Sequence, residues 1–238
     1  MDHGFDRPAG AGGRHGIDAA AARARPSIRL LVIDDHDLFR SGLASLLASQ
    51  PGIEVVGQAR GGRKALRLAD ELAPDVVLID IRMSDIDGPG SIRAILDRHP
   101  STRVIAMTVL SEDRDVESAV QAGACGFLAK DTPIEEIVAA VRAASHGAAW
   151  LSPRAAEVLL GRLRQSGPDA DPALLEQLSP RELDVLRLIA RGMENAQIAA
   201  ALQISPRTAK NHVSSVLAKL GMSSRVQAAV YAVRSGLG

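Results

Sequence analysis

Five short runs of apolar residues dominate the first 150 positions of this 238-residue chain, and amphipathic stretches separate them. The runs cover residues 30–33, 53–56, 76–79, 104–107 and 126–128. Continuous apolar runs of this length are typical of strands buried on both faces, as in a parallel sheet. The amphipathic stretches predict helices over 38–49, 63–72, 91–98, 113–122 and 134–146, most of them followed directly by Pro or Gly. Alternating strands and helices predict an α/β fold, a doubly wound sheet of flavodoxin-like size with five βα repeats.

The pattern changes along the chain and predicts four segments. Residues 1–27 are rich in Gly, Ala and Arg and are expected to form a flexible tail, since they offer little apolar surface to bury. The α/β domain is expected over 28–148, and a linker with a short helix from 153 to 163 over 149–176. Residues 177–238 show only helical patterns, which predicts a small all-α domain.

Charge is distributed unevenly, although the whole chain has a net charge of zero. Residues 28–150 hold 13 basic and 18 acidic side chains, whereas residues 173–238 hold 8 basic and 4 acidic ones. A basic rear domain indicates a polyanionic partner. One cysteine, Cys125, excludes a disulfide framework, and its small neighbours favour a packing role over redox sensing. Without a signal peptide or a membrane-length apolar run, we expect a cytoplasmic protein with no membrane partner.

Three aspartates follow strands of the predicted sheet. Asp34 and Asp35 come directly after the first strand, and Asp80 directly after the third. The carboxyl ends of neighbouring parallel strands meet at one edge, so these carboxylates are expected to lie close together. Like charges at that distance repel, and a hard cation such as Mg²⁺ relieves the repulsion. The alternative is that these acids only cap the following helices, a role that suits Asp37 and Asp35.

Two further polar residues reach the same edge of the sheet. Thr108 ends the fourth strand, and Lys130 follows the fifth. A hydroxyl and an ammonium beside three carboxylates suit a phosphoryl group, because both can bind its oxygens.

In these stretches the chain resembles the receiver domains of response regulators. The matching motifs are VIDDH at 32–36, VLIDIRM at 77–83, DG at 87–88, MT at 107–108 and GACGFLAK at 123–130. By that resemblance, Asp80 is the phosphoacceptor, and Mg²⁺ is held by Asp34, Asp35, Asp80 and the backbone carbonyl of Arg82. Thr108 and Lys130 would bind the phosphoryl group, and Phe127 would act as an aromatic switch; a plain core aromatic is the alternative for Phe127.

The chain departs from the receiver pattern at one loop. Ser84 stands where the family usually has Pro, and Asp85 follows it. This predicts a more mobile loop and an additional carboxylate near the metal.

The rear domain contains a predicted helix-turn-helix. In the helix after Ser205, an inward stripe is formed by Ala209, Val213, Val216 and Leu220. Arg207, Lys210, Asn211, Ser214 and Ala218 lie on or beside the opposite face. The preceding helix, over 196–202, is joined to it by a short turn, and an exposed basic and amide face fits DNA recognition. A solvated face on a structural helix is the alternative.

The same region resembles the LuxR/NarL-type DNA-binding domain. The matching motifs are LSPRE at 178–182, NAQIA at 195–199, ISPRTAKNHV at 204–213 and KL at 219–220. The resemblance implies base contacts by Lys210, Asn211 and Ser214, and phosphate contacts by Arg207, Thr208, Lys219 and Arg225. It also implies a dimer contact through the last helix, by Val226, Ala229, Val230 and Val233.

Together the two resemblances imply a two-component response regulator of the NarL/FixJ family, a transcription factor and not an enzyme. Its expected partners are a sensor histidine kinase, double-stranded promoter DNA and a second copy of the chain. We expect the unmodified receiver to mask the recognition helix until Asp80 is phosphorylated. Two alternatives remain open: a phosphorylation-independent DNA binder whose receiver is a dimerisation module, and a Mg²⁺-dependent phosphatase. The phosphatase is disfavoured by Arg82, which stands where such enzymes place a second acid.

Overall fold

A six-stranded parallel sheet forms the centre of the first domain. The computed structural model describes residues 27–109, 112–165 and 172–237, so most of the predicted N-terminal tail lies outside the described residues. The strands are β1 (Ile28–Ile33), β2 (Ile53–Ala59), β3 (Val76–Asp80), β4 (Arg103–Thr108), β5 (Gly126–Ala129) and β6 (Trp150–Leu151). Their order is β2-β1-β3-β4-β5-β6, with every neighbouring pair parallel. The predicted α/β class is confirmed, and the carboxyl ends of β1, β3, β4 and β5 lie side by side.

The sixth strand was not predicted. β6 pairs with β5 through Gly126–Trp150 and Phe127–Leu151, inside the segment that the sequence assigns to a linker. Two residues are too few to produce a recognisable apolar run, so this strand depends on the edge that β5 offers.

Helices cover both faces of the sheet. They are α1 (Asp37–Ala48), α2 (Gly62–Leu72), α3 (Gly88–Arg98), α4 (Asp113–Gln121) and α5 (Ile134–Ser145). One buried cluster joins the sheet to α1 and α5, and a second joins it to α2, α3, α4 and the following α6 (Pro153–Gln165). Asp37 is the first residue of α1, and the N-cap residue His36 makes no side-chain cap, so the capping alternative for Asp37 is wrong.

The second domain consists of α7 (Pro172–Glu176), α8 (Pro180–Ala190), α9 (Asn195–Leu202), α10 (Pro206–Lys219) and α11 (Arg225–Arg234). Ser179 and Glu182 form the capping box predicted at the start of α8. The inward stripe predicted on α10 is confirmed, since Ala209, Val213 and Val216 are at most 5% exposed. Among the residues that the structure describes, none of these helices is long and apolar enough to cross a bilayer.

Candidate functional site

Asp34, Asp80 and Lys130 meet at the carboxyl edge of the sheet. The Lys130 Nζ lies 2.6 Å from Asp34 Oδ2 and 2.7 Å from Asp80 Oδ2. All three side chains are buried, with exposed fractions of 7% or less. One ammonium group therefore bridges two carboxylates that come from different strands.

The surroundings of this cluster shift two pKa values. Burial raises the pKa of Asp80, and the hydrogen bonds from Lys130 and from the backbone N–H of Arg82 oppose that rise. Burial alone would lower the pKa of Lys130, but its bonds to Asp34 and Asp80 outweigh burial and raise it. Lys130 therefore stays protonated at neutral pH, as a partner for carboxylate or phosphoryl oxygens.

The acidic cluster fits a divalent cation. One potential ligand atom from each of Asp34, Asp35, His36 and Asp80 lies within 4.8 Å of the others. The buried Asp35 Oδ1 has no hydrogen bond; His36 Nδ1 lies 2.9 Å away without hydrogen-bond geometry. An unsatisfied buried carboxylate oxygen beside two further carboxylates is the type of donor set that Mg²⁺ prefers. His36 was not among the predicted ligands, because its only signal in the sequence is its position directly after Asp35.

Thr108, at the end of β4, and Phe127, within β5, both lie inside the first domain. Thr108 is fully buried at the last position of its strand. Phe127 is also fully buried and packs in the cluster beneath α2, α3 and α4. Its ring occupies an inward position in this structure, which is also where a plain core aromatic would lie.

Arg82 connects the loop after β3 to the start of α4. Its backbone N–H donates to Asp80 Oδ1 at 3.1 Å. Its guanidinium lies 3.1 Å from Asp115 Oδ2 and 2.7 Å from Glu112 Oε1. A change at Asp80 can therefore reach α4 through a single residue.

Asp85 does not join the acidic cluster, contrary to the expectation from the sequence. Its carboxylate accepts hydrogen bonds from the backbone N–H groups of Gly62, at 2.9 Å, and Arg63, at 3.3 Å. Gly61, the N-cap residue of α2, has no side chain to supply such a cap. A hydrogen bond from the backbone N–H of Ile86, together with those from Gly62 and Arg63, lowers the pKa of Asp85. The charged carboxylate therefore stabilises the N-terminus of α2.

The predicted DNA-binding residues fall into two groups. Five of them are exposed along α10: Arg207, Thr208, Lys210, Asn211 and Ser214. Lys219 is also exposed, but its Nζ lies 2.7 Å from Glu182 Oε2. Glu182 also accepts from Ser215 at 2.6 Å, and these partners hold the pKa of its carboxyl far below the usual range.

Arg225 lies apart from the exposed face of α10. It is only 6% exposed, and its guanidinium donates to the backbone carbonyls of Gly147, at 3.3 Å, and Met193. Burial lowers the pKa of Arg225 to about 10. The expectation of a phosphate contact at Arg225 does not fit this conformation, because the guanidinium already has protein partners.

The four predicted dimer residues share one face of α11. Val226 is buried, Ala229 and Val230 are half-buried, and Val233 is 43% exposed. All four line an apolar cavity of about 360 Å³ together with β6 and α6 residues, including Leu151 and Leu159. In this conformation the face is partly covered by the first domain.

Comparisons with known proteins agree with both domains. The model of the response regulator receiver domain matches residues 30–142, and that of the bacterial regulatory proteins of the luxR family matches 176–232. The transcriptional regulatory protein LiaR of Bacillus subtilis (strain 168) is 43% identical over 210 residues, 88% of this chain and 99% of that protein. The chain belongs to the response regulators of the LuxR family.

Further relatives match either most of this response regulator or its receiver domain alone. The response regulator protein VraR of Staphylococcus aureus is 36% identical over 211 residues, 89% of this chain and 99% of VraR. The response regulator ChrA of a heme-sensing two-component system, known from a crystal structure, is 34% identical in sequence to this chain, with a TM-score of 0.50. It covers 90% of this chain and 100% of the ChrA chain. The receiver domain of the response regulator NarL from Mycobacterium tuberculosis is 39% identical, with a TM-score of 0.50, over 52% of this chain and 99% of that chain.

The DNA-binding domain of this response regulator contacts the receiver through Gln227. The Gln227 Nε2 donates to the carbonyls of Val120, at 2.9 Å, and Gln121, at 3.0 Å, at the end of α4. Its Oε1 accepts from the N–H groups of Ser223 and Ser224 at the start of α11. One side chain thus caps the receiver's α4 and the N-terminus of α11 together.

A second contact joins the loop after α5 to α9 and α11. Asn195 Nδ2 donates to the His146 carbonyl at 3.1 Å, and Arg225 donates to Gly147 and to Asn195 Oδ1. Sequence reasoning missed Gln227 and Asn195, because a side chain that bonds to a distant carbonyl leaves no local pattern.

The exposed face of α10 is directed toward the receiver. Arg207 and Lys210 line a cavity of about 520 Å³ with His99 and Arg103 of the receiver. Lys210 and Ser214 line an adjoining cavity of about 340 Å³ with Pro100, Ser101 and Arg103. Three of the residues expected to contact DNA, Arg207, Lys210 and Ser214, therefore face the other domain in this conformation.

Proposed function

We propose that phosphorylation of Asp80 by a sensor histidine kinase in the cytoplasm controls promoter binding by this response regulator. The observation that carries the proposal is the bridging of Asp34 and Asp80 by Lys130 at 2.6 and 2.7 Å. This arrangement keeps a cation beside the carboxylate that would receive the phosphoryl group.

The surrounding residues suit phosphoryl transfer. Asp34, Asp35, Asp80 and the Arg82 carbonyl would hold Mg²⁺, which supplies neutralisation of the transferring group when bound. An Asp80 oxygen attacks phosphorus, and the bond to the kinase histidine breaks. Lys130 then pairs with the new phosphoryl oxygens, and the Thr108 hydroxyl donates to one of them.

A chain of contacts leads from Asp80 to the DNA-binding domain. Arg82 bonds to Asp80 through its backbone and to Asp115 on α4 through its guanidinium. The other end of α4 accepts the hydrogen bonds from Gln227. We propose that phosphorylation shifts α4 and the Phe127 ring together, which weakens the Gln227 contact and biases the two domains apart.

Separation of the domains would release two surfaces. The exposed residues of α10 would enter the major groove of double-stranded promoter DNA, with Lys210, Asn211 and Ser214 at base edges and Arg207 and Thr208 at phosphates. Arg225 could reach a DNA phosphate only after its bond to Gly147 breaks. Lys219 would have to contact a DNA phosphate while it remains paired with Glu182. The α11 face, once clear of α6, would pair with a second copy.

The proposed division is a tail at 1–27, a receiver at 28–148, a linker at 149–176 and a DNA-binding domain at 177–238. The protein would be a regulator and not an enzyme. The direct test is the intact mass after incubation with a small-molecule phosphodonor and Mg²⁺. Wild type should gain one phosphoryl group, and Asp80→Asn and a Mg²⁺-free sample should gain none.

Binding to a duplex selected from a random pool tests the coupling. Phosphorylated wild type should bind more tightly than Asp80→Asn. Equal affinity would favour phosphorylation-independent binding, and turnover of a phosphorylated metabolite would favour a phosphatase.

A further inference from the structure

The cavity of about 520 Å³ between the two domains has three cationic side chains in its walls. Arg103 comes from the receiver, at the start of β4, and Arg207 and Lys210 come from α10. None of the three forms an ion pair with another residue in the described part of the chain, 27–109, 112–165 and 172–237. The same walls also carry the carboxylates of Asp75 and Glu194, so the three cations exceed the acids of the cavity by one charge.

The other charged groups of the cavity are already engaged. Asp75 accepts a hydrogen bond from the N–H of Arg29 at 2.9 Å. Glu194 attracts the buried Arg225, which raises the pKa of that guanidinium against the effect of burial. His99 bonds to Asp70 at 2.7 Å, and the ring of His146 bonds to a carbonyl of its own helix. Arg103, Arg207 and Lys210, which have no ion-pair partner among the described residues, can therefore pair with an anionic ligand.

We propose that this interdomain cavity binds a small oligophosphate, with Arg103 on one wall and Arg207 and Lys210 on the other. Two or more linked phosphate groups can reach cations on both walls, and arginine binds phosphate oxygens in bidentate fashion. Bound there, the anion holds the domains together and occupies residues that face DNA. It therefore acts against DNA binding, and its binding does not require phosphorylation of Asp80.

The site is tested by titration calorimetry on the full-length, unphosphorylated protein with inorganic pyrophosphate in Mg²⁺-free buffer. Arg103→Gln removes one wall's charge without touching α10 or the Asp80 cluster. Its affinity should fall by about tenfold or more, because a charge-assisted contact is lost. The matched control is Arg67→Gln, the same charge change at an exposed position of α2, and it should bind as wild type does.

A second titration, with ADP in place of pyrophosphate, tests whether the ligand is a nucleotide or an inorganic oligophosphate. Tighter binding of ADP than of pyrophosphate indicates a nucleotide, and equal or weaker binding indicates an inorganic oligophosphate. In DNA-binding assays at matched ionic strength, pyrophosphate should weaken binding by wild type more than by Arg103→Gln. The proposal is overturned if Arg103→Gln binds pyrophosphate as tightly as wild type, or if no binding exceeds that of sulfate at the same ionic strength.

Discussion

Replacement of Gln227 by Glu isolates the contact between α11 and the receiver. The substitution keeps the shape of the side chain and an acceptor for the N–H groups of Ser223 and Ser224, so α11 retains its cap. It removes the Nε2 donor that bonds to the carbonyls of Val120 and Gln121. A carboxylate then faces two carbonyls at the negative end of α4, so the contact becomes repulsive.

The free energy that the closed arrangement loses follows from the two lost hydrogen bonds. Each contributes about 0.5–1.5 kcal/mol, so the closed arrangement loses about 1–3 kcal/mol. That free energy corresponds to a shift of about 5- to 150-fold in the equilibrium between closed and open forms. Because only the open form would bind DNA, the apparent affinity of the unphosphorylated protein should rise by up to that factor.

Fluorescence anisotropy with a duplex selected from a random pool measures this change. Gln121→Ala is the matched control, since only the backbone carbonyl of residue 121 accepts the bond, and it should behave as wild type. Phosphorylated Gln227→Glu should match phosphorylated wild type, because both are already open. The reasoning fails if unphosphorylated Gln227→Glu binds DNA no more tightly than wild type and retains its interdomain distance by energy transfer.

Three further outcomes follow from the structure. Burial raises the pKa of Cys125 to about 11, so at pH 8 the native protein should not react with a thiol-specific chromogenic reagent, whereas the denatured protein should. Lys219→Met removes a partly exposed cation from Glu182 and should lower the free energy of unfolding of the helical domain by about 1 kcal/mol in urea titrations at pH 7. Since its partners hold the pKa of Glu182 far below the usual range, that contribution should decline progressively as the pH falls below about 4.5, and the variant and wild type should converge only well below that pH. Asp85→Ala should cost about 1 kcal/mol in thermal unfolding through loss of the α2 cap, and Asp85→Asn should retain most of it; equal losses would contradict a capping role.

Much of the receiver was predictable because its signals are local. The apolar runs at 30–33 and 76–79 coincide with strands whose side chains are buried, and the acids that follow them lie at the shared carboxyl edge. Strand order brings Asp34 and Asp80 to Lys130, as expected from the topology of a doubly wound sheet.

Sequence patterns do not show where a side chain is held by a distant part of the chain. Asp85 was expected near the metal, but it caps α2, because Gly61 leaves that helix without a cap of its own. Arg225 was expected on a phosphate, but it is buried against the carbonyl of Gly147. In both cases the residue type shows that a charged side chain needs polar partners. Which groups become those partners depends on the tertiary packing.

The sequence by itself determined the α/β and helical domains, the acidic edge and the inward stripe of α10. Periodicity and residue type act over a few neighbouring positions, and burial of apolar side chains enforces them in any compact arrangement. The tertiary structure alone decided that α10 faces Arg103 and that Gln227 bonds to the end of α4. Both features bring together residues about a hundred positions apart, and Gln227 bonds to backbone carbonyls, which every residue carries, so no residue type in the sequence marks them.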